Sequence, residues 1–152
     1  MKRILFSLTG MFIFSSMMCA QTTTEDSVKA AVNQLFNGMK SSDPGIIRSS
    51  FADSAVLQSI ARNKEGKTVI VNENFAEFAN SISQIKKGAA DEQIVFETIK
   101  IDGPLAMVWA PYKFYYDGKF SHCGVDCFQL VRVDGSWKIQ YLIDTRRKQP
   151  CN

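Results

Sequence analysis

Three Asp-Gly turns constrain this chain more than any other feature. Asp117-Gly118 and Asp134-Gly135 divide Leu105 to Arg147 into three runs rich in β-branched and aromatic residues. Asp102-Gly103-Pro104 joins those runs to an earlier one, Gln93 to Ile101. Asp-Gly between such runs is a strong hairpin signal, because Gly accepts positive φ without a Cβ clash. The stretch therefore predicts a four-strand antiparallel meander.

The residues before the meander alternate between helical and extended patterns. Thr22-x-x-Glu25 fits a capping box. Val28, Ala31, Val32, Leu35, Phe36 and Met39 then recur at three- and four-residue spacing, which predicts a helix from about Asp26 to Met39. Asp43 and Pro44 suit the N-cap and first turn of a short second helix ending near Ser50. Ala55 to Ala61 and Lys67 to Val71 read as strands around a polar turn, Arg62 to Gly66. Asn72 is the expected cap of a third helix that buries Phe75, Phe78, Ala79, Ile82 and Ile85 and closes at Lys86-Lys87-Gly88. The order is helix, helix, strand, strand, helix and four strands, an α+β pattern in which the helices must cover one face of a sheet.

The first 20 residues stand apart. Lys2 and Arg3 precede an uncharged, mostly apolar run from Ile4 to Met18, and Ala20-Gln21 suits cleavage, which is the layout of a secretory signal peptide. The expectation is a signal peptide over 1–20 and a single domain over 21–152, periplasmic or secreted, with no integral membrane span after cleavage. Lipidation at Cys19 is the less favoured alternative, since Ser16-Met17-Met18 fits the small-residue box poorly. Without Lys2 and Arg3 the formal charge falls from +3 to +1, and no basic stripe for nucleic acid remains. Cys123 and Cys127, four apart on a predicted strand, lie ~13 Å apart and cannot bridge each other, whereas Cys151 on the tail can reach either.

This element order, with the run WAPYKFYYDGKFSHCGVDCFQLVRVDGSWKIQYLIDTRR, resembles the nuclear transport factor 2-like superfamily. Within it the resemblance is closest to a bacterial secreted branch described as "putative lumazine-binding". It covers about Thr24 to Lys148, and its most specific parts are the aromatic strand, His122-Cys123-Gly124, Trp137-Lys138-Ile139 and Asp144-Thr145-Arg146. The resemblance implies a cone: a curved, mixed or antiparallel sheet wrapped around helices, with a pocket at the wide end. That superfamily includes ketosteroid isomerase, dehydratases and many binding domains, so the fold settles no function.

Register supplies the candidate site. With Val133 opposite Ser136, paired positions sum to about 269, which puts His122, Asp126, Phe128 and Leu130 on one face with Ile139, Tyr141, Ile143 and Thr145. His122, the only histidine, and Asp126 are the candidate acid–base groups, but ~13 Å separates them on a regular strand, too far for a direct dyad. Trp109, Tyr112 and Phe114, with Phe128 and Tyr141, are the expected walls of an aromatic pocket. Asp144 and Arg146 alternate to the other face as a surface ion pair unless a late bulge turns them in. One His and three scattered Cys make no metal set, and no cofactor motif is present. Three readings follow: a non-catalytic binder of a small apolar or aromatic ligand, an isomerase or lyase using His122 or Asp126, and a structural module that forms a homodimer through its open sheet.

Overall fold

The computed structural model describes residues 23–149 and residue 151. The signal segment and Cys19 lie outside the described residues. Helix α1 (Thr24–Ser41) starts one residue later than the expected capping box. Thr23 is the N-cap: its Oγ1 accepts from the Asp26 N–H, and the Asp26 carboxylate accepts from the Thr23 N–H. Helix α2 (Pro44–Ser50) has the expected Asp43 cap, whose carboxylate accepts from the Gly45 and Ile46 amides. Helix α3 (Phe75–Ser83) is capped by Asn74 and not by Asn72. The preceding strand runs on through Glu73, so the first residue free to leave the ladder is Asn74.

The strands are β1 (Phe51–Arg62), β2 (Thr68–Glu73), β3 (Ala90–Ile94), β4 (Thr98–Asp102), β5 (Leu105–Tyr116), β6 (Lys119–Val133) and β7 (Ser136–Arg147). They form one curved, unclosed sheet in the order β2-β1-β7-β6-β5-β3, with β4 also pairing β5. All pairs are antiparallel except β1 with β7, which is parallel, so the sheet is mixed. The run Gln93–Ile101 is not one strand, as the pattern suggested, but two. β3 pairs with Tyr112–Tyr116 and β4 with Leu105–Trp109. The break faces Pro111, which has no N–H to offer the ladder. Only its carbonyl is used there, accepting from Val95 N–H at 2.9 Å.

The turns behave as their chemistry requires. Asp117 and Gly118 have φ of 49° and 75°, and Asp134 and Gly135 have 49° and 79°, the positive pairs of a two-residue hairpin. From Asp134-Gly135 the register runs as expected through Leu130↔Ile139. It then shifts by one: Gln129 pairs with Tyr141, so Gln140 is an extra residue in β7.

Helix α1 lies across the inner face of the sheet. Val28, Val32, Leu35, Phe36 and Met39 are buried against Val108, Phe128, Leu130, Trp137 and Ile139. Phe36 meets Phe128 edge-on at 6.1 Å. The Trp137 indole is buried, and its N–H donates to Ser27 Oγ at 3.2 Å. Burial of this set seals the narrow end of the cone.

At the opposite end the chain is tied by a disulfide between Cys123 and Cys151, Cα atoms 5.9 Å apart. Of the two partners the tail cysteine could reach, it takes Cys123, which alternates with the inward Gly124 and Asp126 and shares its face of β6 with Cys127. Cys127 keeps its thiol.

Candidate functional site

The bulge at Gln140 builds the site. Beyond it, every β7 side chain changes face relative to a regular ladder. Leu142, Asp144 and Arg146 turn inward and Tyr141, Ile143 and Thr145 turn out. Asp144 then stands directly across from Asp126 of β6. The bulge is held by a residue far away in sequence. The Gln140 amide donates to Ser54 O at 3.0 Å, and Ser54 Oγ donates to Gln140 Oε1 at 3.3 Å. Ser54 lies in the part of β1 where the β1–β7 register is itself interrupted, between Phe51 and Val56.

The result is a small cavity of about 60 Å³ between α1, α3 and the inner face of the sheet. Its apolar wall is Leu35, Phe36, Met39, Leu57, Phe78 and Leu142. Its polar wall is Glu73, Glu92, Asp126, Asp144 and Arg146, which arrive on four different strands. That volume holds a few waters at ~10–15 Å³ each.

Asp126 is 4% exposed and Asp144 7%. Asp144 Oδ2 accepts from Arg146 Nε at 2.8 Å and from the Tyr112 hydroxyl at 3.2 Å. Arg146 reaches on to Ser59 Oγ at 2.9 Å, and the Tyr112 hydroxyl donates also to Thr145 O at 2.9 Å. The Glu92 and Asp126 carboxyls both line the cavity, and a hydrogen bond from one to the other requires a proton between them. Burial is the main reason that the Asp126 carboxyl stands well above its usual range, and the Glu92 charge and the hydrogen bond to Glu92 add to it. Burial likewise pushes Glu92 up to about 7, opposed by the Asp126 hydrogen bond and by Arg146. The pair therefore keeps one proton near neutrality, with Asp126 the deeper member. Burial and the Asp144 charge hold the Tyr112 phenol far above its ordinary value, so it acts as a donor only.

Gly124 makes this crossing possible. A Cβ placed there would lie 1.7 Å from Thr145 O and 2.7 Å from the Tyr112 ring. The space beside Gly124 is filled by the neighbouring backbone and the tyrosine.

The family described as "Putative lumazine-binding" matches residues 23–141. The chain belongs to that family. No curated protein matches the sequence. Among solved structures, a nuclear transport factor 2-like protein of unknown function from Shewanella baltica OS155 is 17% identical, with 85% of this chain and 100% of that one covered at a TM-score of 0.66. One from Silicibacter pomeroyi DSS-3 is 17% identical over 83% of this chain and 100% of that one, at 0.64. A domain of unknown function with a cystatin-like fold from Nostoc punctiforme PCC 73102 is 17% identical, covering 84% and 81%, at 0.63. At these identities the likeness shows the fold, a nuclear transport factor 2-like cone, and not an activity.

Within this member of the family the expected site residues scatter. Asp126 lines the cavity. Tyr112 stands behind it, bonded to Asp144. His122 is half-buried at the open end, edge-on to Tyr112 (5.7 Å) and tilted against Phe114 (5.1 Å), with Nδ1 at 3.1 Å from Ser121 Oγ. Burial and the Arg146 charge lower its pKa. Phe128 is fully buried core. Trp109 is 42% exposed on the outer face, where it flanks a groove with Ile60, Val125, Cys127 and Ile143. The facing expected for Tyr141 is corrected by the bulge: its hydroxyl donates to Gln58 Oε1 at 2.7 Å, outside the cavity. The cavity walls expected to be aromatic are mostly aliphatic and carboxylate, with Phe36 and Phe78 the aromatic members.

Glu73 and Glu92 were not among the sequence candidates, and Asp144 and Arg146 enter the site through the late bulge that was the alternative to a surface ion pair. A signal for Glu92 existed: a carboxylate inside the apolar alternation Ala90, Ile94, Phe96. Trp109 could have been placed outside from the alternation Ala106, Val108, Ala110, Tyr112, all of which are buried.

Proposed function

We propose that this chain is an extracytoplasmic domain that binds a small molecule in the cavity between α1, α3 and the sheet. The observation that supports it best is the polar end of that cavity. A proton-sharing Glu92–Asp126 pair faces an Asp144–Arg146 pair across an otherwise apolar space. A protein core has no structural need for four carboxyls at one point, since unpaired buried charge costs stability. Convergent polar groups at the end of an apolar pocket are what a binding site requires. The ligand is small and partly apolar, its body against Leu35, Phe36 and Leu142. The family's description makes lumazine the first compound to test. A bicyclic ring needs more room than about 60 Å³, and α3 is the wall that would move, because it buries only Ala79 and Ile82.

Export is supported by the Lys2-Arg3 start, the apolar run to Met18 and the Cys123–Cys151 disulfide, a bond that persists in oxidising compartments. Intact mass of protein from the native host tests it: loss of residues 1–20 and a mass two hydrogen atoms lighter than the dithiol are expected, and a product retaining Met1 overturns it.

Ligand screening by thermal shift tests the binding reading. A ligand specific to the native state adds ~2.7 kcal/mol at 100 Kd. Phe78→Trp, which fills the cavity mouth, should abolish that gain. A shift that survives Phe78→Trp places the ligand elsewhere.

A second reading concerns assembly. The exposed groove around Trp109, Ile60, Val125 and Ile143 favours a homodimer through the outer sheet face. Sedimentation equilibrium of the native chain and Trp109→Lys decides it: dimer in the first and monomer in the second.

A further inference from the structure

The acidic wall of the cavity does more than mark a binding site; its unused acceptors indicate the charge of what enters. Four carboxyls face a single guanidinium. With one proton between Glu92 and Asp126, the cluster is formally dianionic. Arg146 is already committed to Asp144 Oδ2 and Ser59, and its side chain is half exposed at the rim. Beyond the shared proton, Asp126 Oδ2 and Asp144 Oδ1 accept no hydrogen bond, although both atoms are buried. Their side chains are directly opposite across the β6–β7 ladder and both line the cavity. A buried carboxylate oxygen without a donor is costly, so the native state carries an unmet demand for donors at this point. Apart from the proton shared by Glu92 and Asp126, no backbone amide or side-chain donor of the described chain answers it.

Resting on the binding reading above, we infer that the cavity is built for a small organic nitrogen cation, of the amidinium or guanidinium class, whose N–H groups bridge Asp126 Oδ2 and Asp144 Oδ1 while its apolar part lies on Leu35, Phe36 and Leu142. A planar cation with two parallel donors matches two acceptors set side by side better than a point charge does. A metal ion fits poorly: among the described residues no group of three His, Cys, Asp or Glu is arranged to hold one. An anion, or a ring that presents only carbonyls, would add acceptors where acceptors are already in surplus.

The cation also replaces the proton of the Glu92–Asp126 pair. When it binds, an N–H⁺ of the ligand takes the place of the carboxyl O–H, and one proton leaves to solvent. The groups facing that pair are Glu73 from β2, Tyr112 from β5, His122 from β6 and Asp144 and Arg146 from β7. Tyr112 does not titrate in the accessible range, and the Asp144–Arg146 pair is internally neutral. The pH dependence of binding therefore follows the acid pair, with a smaller contribution of the same sign from His122, whose protonation at lower pH adds a like charge near the cation. Cation affinity should fall as pH drops below about 7, by up to tenfold per pH unit.

One scaffold in three charge states tests this: benzamidinium, benzamide and benzoate, together with the smaller acetamidinium, acetamide and acetate. Isothermal calorimetry on the full mature chain at pH 6 and pH 8 reads affinity, and two buffers of different ionisation enthalpy read the proton. The expected result is that an amidinium binds at least tenfold tighter than its neutral or anionic counterpart. Its affinity should rise with pH, up to one proton should be released, and Asp126→Asn should lose at least tenfold. If the amide or carboxylate binds equally well, or if affinity rises as pH falls, the charge assignment is overturned while the cavity remains a binding site. If none of the six probes binds, and no neutral ring stabilises the protein in the thermal-shift screen, both readings fail. The comparison among probes uses the native chain, so it holds even if Asp126→Asn folds poorly.

Discussion

The two ends of the β6–β7 ladder share strands, hairpin and helix cover, yet do different work. From Asp134-Gly135 to Leu130↔Ile139 the register is regular and the inward residues are apolar and fully buried. Past Gln140 the inward residues change from Phe128 and Leu142 to Asp126, Asp144 and Arg146. One extra residue separates a sealed core from a polar cavity. The regular end gains from hydrophobic burial and close packing. The bulged end bears desolvated carboxyls, a local cost that the rest of the fold must offset. Stability is thus concentrated at one end and chemistry at the other.

The largest expected effect breaks the sealed end. Trp137→Ala removes a buried indole and its bond to Ser27, and should cost roughly 3–5 kcal/mol in denaturant unfolding. A loss under about 1 kcal/mol would mean that this end is not the stability centre.

Gly124→Ala attacks the junction. The added methyl meets the Thr145 carbonyl and the Tyr112 ring, neither of which is a flexible chain end. We expect a loss of about 3 kcal/mol, at the top of the usual overpacking range. A neutral result would place the β7 backbone farther from β6 than 1.7 Å from the added Cβ allows.

The acid pair gives the next effect and its sign differs from ordinary acid denaturation. Glu92 is raised from 4.5 to about 7 by burial, and Asp126 is raised as well. Between these pH values the folded state holds a proton that the unfolded chain has released. Stability should therefore be full below about 4.5 as far as this pair is concerned, and fall by on the order of 1–3 kcal/mol as pH rises to about 7. His122, whose pKa is lowered, contributes in the opposite direction as pH falls through its range. Asp126→Asn should flatten the slope between pH 5 and 7. An equally steep slope in that variant would assign the titration to another group.

The smallest effect sharpens the boundary between inside and outside. Tyr141→Phe loses one hydrogen bond to Gln58 on the outer face, worth about 0.5–1.5 kcal/mol, and should leave ligand affinity at the cavity unchanged. A change in affinity beyond twofold would put Tyr141 in communication with the cavity.

Much of this molecule is written locally. The two Asp-Gly hairpins, the Asp43-Pro44 helix start, the apolar stripe from Val28 to Met39 and the Trp137–Ile139–Leu130 core follow from turn chemistry and periodicity, which act over a few residues. The element order was legible for the same reason, apart from the run that Pro111 divides in two. Asp126 was legible because it lies only a few pairs from a turn that sets its register. Asp144 and Arg146 were legible only as a pair of alternatives, on the surface in regular register or inward behind a late bulge. Their facing depends on one extra residue at Gln140, held by Ser54, 86 positions away in the chain. Glu73 and Glu92 reach the cavity only because β2 and β3 close the two flanks of the curved sheet. A period-2 pattern carries no information about where a ladder will slip, and a slip of one residue inverts every side chain beyond it. Local chemistry thus determined the frame of the protein. The site is a product of contacts between distant strands, which only the assembled sheet could decide.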